Sequence, residues 1–113
     1  MPATAKPSLR FYHSKELRTR TLALLDAIDE AEDATRHREK LSDLVVALSE
    51  AGMSYFYLEP LKLAKVGFVT RQSANFGMSG ALRVVSPMVR TVLGMMDDKQ
   101  LRAVGKFIRG LTR

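Results

Sequence analysis

The sequence predicts an all-α fold, a compact bundle of four to six helices, on two observations. Apolar side chains recur at helical spacing almost throughout, on one face of each successive segment. The chain has 113 residues, 46% hydrophobic and 27% charged, which suits one globular domain with a single core and crowds two. Residues 1–13, with Pro2 and Pro7, read as a flexible basic tail, and residues 14–113 as the helical domain.

Ser14 is the N-cap of a first helix over about 14–32, because Leu17, Leu24, Leu25, Ile28 and Ala31 then share a face. The following stretch, DEAEDATRHREK, has no large apolar side chain, and Leu41, Leu44, Val45 and Leu48 restart the pattern. A helical hairpin turning near Asp33–Thr35 follows, with Gly52 placed to end its second helix. Tyr55, Phe56 and Tyr57, the densest aromatic group, are expected to seal the end of the core. Pro60 either begins a new helix or kinks one.

The segment GALRVVSPMVRTVLGMM, residues 80–96, is apolar around most of its circumference, with Ser79, Arg83, Ser86 and Arg90 forming a narrow polar stripe. Such a helix must be covered on several sides, by its own bundle or by a partner. Pro87 either kinks one long helix or starts a second with Ser86 as its N-cap, and two shorter helices are expected. A transmembrane span is not expected, because Arg83 and Arg90 would each sit uncompensated in the hydrocarbon.

The last segment, DDKQLRAVGKFIRGLTR, opens with Asp97 and Gln100 at capping-box spacing. Leu101, Val104, Ile108 and Leu111 make its apolar stripe, and Lys99, Arg102, Lys106, Arg109 and Arg113 a basic one. A basic amphipathic helix of this kind either binds anions, on a nucleic-acid backbone or an anionic membrane surface, or is neutralised inside the fold.

Charge is segregated along the chain. Residues 1–20 carry net +4, residues 21–60 net −6 and residues 61–113 net +8, together the formal +6 of the whole. The acidic N-terminal hairpin is therefore expected to pack on the apolar, basic C-terminal half, with apolar burial supplying the energy and charge the orientation.

Recognisable catalytic chemistry is missing. With no cysteine there is no disulfide, thiolate nucleophile or cysteine metal site, and His13 and His37 have no second histidine at ligand spacing. FGMSG matches no phosphate-binding or dinucleotide loop, and Ser79 lacks a nucleophile-elbow context. Neither a cofactor nor a metal is expected. The N-terminus has no apolar stretch of a secretory signal, and together with the missing cysteines this points to a cytoplasmic protein.

The function these features imply is a non-catalytic interaction protein that forms a homodimer or docks another protein. The expected interface is Arg83, Met88, Arg90, Val92, Met95 and Met96; four of the six methionines lie between residues 78 and 96, where their flexible side chains suit an adaptable apolar surface. The alternative is a binder of nucleic acid or of an anionic membrane through the C-terminal basic stripe.

Overall fold

Ser14 caps the first helix as its side chain and position require: its Oγ accepts a 3.1 Å hydrogen bond from the Leu17 N–H. Helix α1 then runs Lys15–Glu30. The structure is a computed structural model, and it describes residues 7–112. Asp33 caps a single 3₁₀ turn, Ala34–His37, which leads into α2, Arg38–Met53. The hairpin therefore forms where the apolar pattern lapses.

Beyond Met53 the helix does not stop. Gly52, expected to end it, lies inside α2, and the chain continues through a π-helical turn, Ser54–Leu58, into the short α3, Glu59–Leu63. Pro60 falls in the first turn of α3, directly after the π turn. A turn follows in which the Val66 N–H donates to the Leu61 carbonyl and the Lys65 N–H to that of Lys62. This is a Schellman closure, and it places Lys65 at φ 54°, the position usually given to glycine.

Helix α4 spans Phe68–Gly94 without a break, so the expected division at Pro87 does not occur. The physical reason lies on both sides of the proline. Val85 packs against the core before it and Val89 and Leu93 are buried after it, so one continuous seam holds both halves in line. Pro87 itself points to solvent.

Helix α5, Asp98–Leu111, begins with the capping box its sequence announces. Asp97 accepts from the Gln100 N–H and Gln100 accepts from the Asp97 N–H, both at 2.9 Å. Counting α2, the π turn and α3 as one rod, the described residues form an all-α bundle of four helices.

The core gathers at one end. Leu24, Leu25 and Ile28 of α1, Leu41 and Leu44 of α2, Val89 and Leu93 of α4, and Leu101 and Ile108 of α5 form one buried cluster. Gly105, also buried, packs beside α1, where an added Cβ would sit in ordinary contact, 3.6 Å from Leu25 Cδ2. The acidic hairpin thus packs on the C-terminal half. From this core the far ends of the second rod and of α4 run on together, and the molecule measures 51 × 40 × 24 Å.

The aromatic trio does not seal the core. Tyr55 pairs edge-to-face with Tyr12 at 6.0 Å and Phe56 with Phe11 at 6.1 Å, making a satellite cluster that holds the segment before α1 against the π turn. Tyr57 is largely exposed.

Candidate interaction surface

One side of α4 is seated on α2 and the core; the opposite side is open. Val69, Phe76, Val84, Met88, Val92 and Met95 are all exposed, from 45% at Val92 to 84% at Phe76. At 100° per residue these six positions fall within roughly 160° of arc, and no charged residue shares it. Arg71, Arg83 and Arg90 lie outside it. A helix of 27 residues carries such a face for about 40 Å.

Of the residues expected at an interface, Met88, Val92 and Met95 lie on this open face. Arg83 is exposed at its border, without an ion pair among the described residues. Arg90 is exposed too, but its guanidinium is held by Asp43 of α2. Met96 is drawn inward, half-buried against the core, and its carbonyl accepts from the Arg38 guanidinium at 2.6 Å.

Val69 and Phe76 extend the face by two turns and more towards the start of α4, beyond the segment that the sequence singles out. Their signal was weak, since they lie at one border of the arc, about 60–100° from Val84 and Met95. It was diluted by the glycines, serines and Asn75 between them.

The C-terminal basic stripe is divided in two. Arg102 Nε meets both carboxylate oxygens of Asp98 at 3.0 Å, and its terminal nitrogens donate to the Ile28 and Ala31 carbonyls at 2.9 and 2.6 Å. It therefore closes the C-terminal end of α1, where free carbonyls and the helix dipole favour a cation. Arg109 reaches Asp26 and Asp29 of α1 at 2.9 Å each. Both guanidinium pKa values are raised, chiefly by hydrogen bonds to Asp98 and to Asp26 respectively.

Lys99 and Lys106 stay exposed and unpaired among the described residues, and Arg113 lies outside them. Two lysines are a thin basis for anion binding. The bond from Arg102 and one from the Ala34 N–H hold the Asp98 carboxyl below the usual aspartate range. Asp33 is lowered by its hydrogen bond with Thr35.

Two shallow clefts flank the second rod. One lies between Leu58, Phe68 and Arg71, the other between Tyr12, Glu50 and Tyr55. Both are open to solvent. Among the described residues no three His, Asp or Glu side chains converge as a metal site would require, and no helix is long and apolar enough to cross a membrane. No protein-family model, curated protein or solved structure matches the chain.

Proposed function

We infer that this chain is a non-catalytic helical interaction protein, and that it docks itself or another protein through the outer face of α4. One observation carries the reading: an uncharged face lies open along α4, apolar through Val84, Met88, Val92 and Met95 and extended by Val69 and Phe76, while the opposite side of the helix's second half is anchored in the core. Exposed apolar patches of this continuity mark interaction sites in water-soluble folds. Met88 and Met95, 56% and 77% exposed, add side chains that adapt to a partner's relief.

The basic face of α5 supports the anion-binding alternative less, because Arg102 and Arg109 already have partners on α1. Turning either outward would leave α1 carbonyls or aspartates without their cation.

A photoreactive residue placed at Met88, with Lys106 as the control position, tests the reading in cells that make the protein. The expected result is a discrete protein adduct from position 88 and none from 106. Equal or absent yields at the two positions would overturn it.

A further inference from the structure

We propose that the occupant of this face is a second copy of the chain, whose α4 runs antiparallel to the first across a two-fold axis near residues 82 and 83. The proposal rests on the interaction reading above and adds the partner and its orientation.

Area is the first argument. The six exposed apolar residues together present on the order of 700 Å² to solvent. A standard interface removes about 800 Å² from each partner. The face is thus large enough to supply most of one side of a stable dimer.

Shape selects the orientation. Along the first half of α4 the positions in the helical phase of Met88 are small, Thr70, Ser73, Gly77 and Ala81, with Val69 and Phe76 at one edge of the face. Along the second half they are bulky: Val84, Met88, Val92 and Met95. An isologous contact must complement itself, because each copy presents the same surface. Antiparallel pairing about residues 82 and 83 sets Ala81 against Val84, Gly77 against Met88, Ser73 against Val92 and Thr70 against Met95. Each of the four bulky side chains of the second half then meets a small one, as close helix packing requires, while Val69 and Phe76 flank the contact at the edge of the face. A parallel pair would set methionine on methionine and glycine on glycine, leaving collisions at one end and gaps at the other.

The glycines point the same way. A Cβ added at Gly77 or Gly80 meets nothing within 4 Å, so packing within the chain does not demand them. Glycine is a poor residue for a helix interior, and two within four residues of a continuous helix weaken it. A second backbone approaching this side gives them a role.

Charge fixes how the contact responds to salt. Each copy carries +6, and Arg83 stands beside the axis in both, so the copies repel and apolar burial must overcome this. Added salt screens that repulsion and leaves the association unchanged or tighter, the opposite of the response of a polyanion or anionic-membrane complex.

The chain has no cysteine, so single substitutions report geometry directly. Light scattering of the full chain at micromolar concentration is expected to give twice the 12.6 kDa chain mass at low and at high salt. V84C, close to the axis, is expected to form a disulfide-linked dimer; M95C alone is not, whereas a mixture of M95C with T70C is. G77L, whose Cβ enters open space in the single chain, should weaken the dimer by about tenfold or more while leaving the monomer at least as helical and as heat-stable as the wild type.

A single-chain mass at every salt and concentration would overturn the second copy. A Met88 adduct with a different protein would then leave the interaction reading standing, and loss of that adduct as well would remove both. Self-crosslinking of M95C, or a G77L variant that remains dimeric, would overturn the antiparallel contact. So would a monomer that floats with phosphatidylglycerol vesicles, in favour of lipid.

Discussion

The carboxylate of Asp98, at the start of α5, accepts a 2.6 Å hydrogen bond from the backbone N–H of Ala34, which lies 64 residues earlier. The same carboxylate holds Arg102, and Arg102 closes the end of α1. One acidic residue therefore ties the hairpin turn to the last helix.

This arrangement predicts an acid limb in the stability curve. The Asp98 pKa is depressed in the folded chain, first by Arg102 and then by the Ala34 N–H. Its contribution is complete above the unfolded aspartate value of about 3.9 and is lost as pH falls through the lower folded value. Asp33 acts in the same direction through Thr35. Melting temperatures measured from about pH 7 down to about pH 3 should fall for the wild type. Asp98→Asn should start lower at neutral pH and fall less steeply; an acid limb as steep as the wild type's would show that the network is not responsible.

Burial separates core from contact surface. Leu44 is 0% exposed, and Leu44→Ala should cost about 2–5 kcal/mol in urea melts. Met88→Ala and Val92→Ala should change the stability of the single chain by less than about 0.5 kcal/mol while weakening association. Unfolding of either surface variant would place its side chain in the core instead.

The Schellman turn offers a backbone test. Lys65 holds φ 54°, which costs an L-residue with a side chain about 1–2 kcal/mol relative to glycine. Lys65→Gly should recover part of this, raising stability by up to about 1 kcal/mol through relief at the turn. Chemical denaturation of the two chains measures it, and a destabilised variant would mean that the turn does not hold this conformation.

Pro87 sits in the middle of α4, where it cannot donate to the Arg83 carbonyl. Pro87→Ala restores the donor and should stabilise the helix by about 1–3 kcal/mol, with higher helical content by circular dichroism. No gain in either would indicate that α4 divides at this residue in solution.

Three side-chain caps and turns were read correctly from neighbours in the chain. The Ser14 cap, the hairpin turn at Asp33 and the Asp97–Gln100 capping box depend on residues two or three apart, and all three form. The readings that failed depend on what lies across the fold. Gly52 and Pro87 look like helix ends by composition, yet Phe11 packs beside the first, and the core flanks the second through Val85 and Val89. The basic stripe of α5 was legible as a pattern, but its division was not. Nothing near Arg102 in sequence says that the end of α1 will lie beneath it.

The sequence by itself determined the all-α class, the hairpin, the caps and the segregation of charge, because helical periodicity and capping are encoded within a turn or two of chain. Only the tertiary structure decided which apolar residues of α4 are buried. That helix is apolar on more than one side, and its phase alone cannot say which side meets α2. The choice is made by packing: Val89 and Leu93 join the buried cluster beside α2, and Val84, Met88 and Met95 are left facing outward.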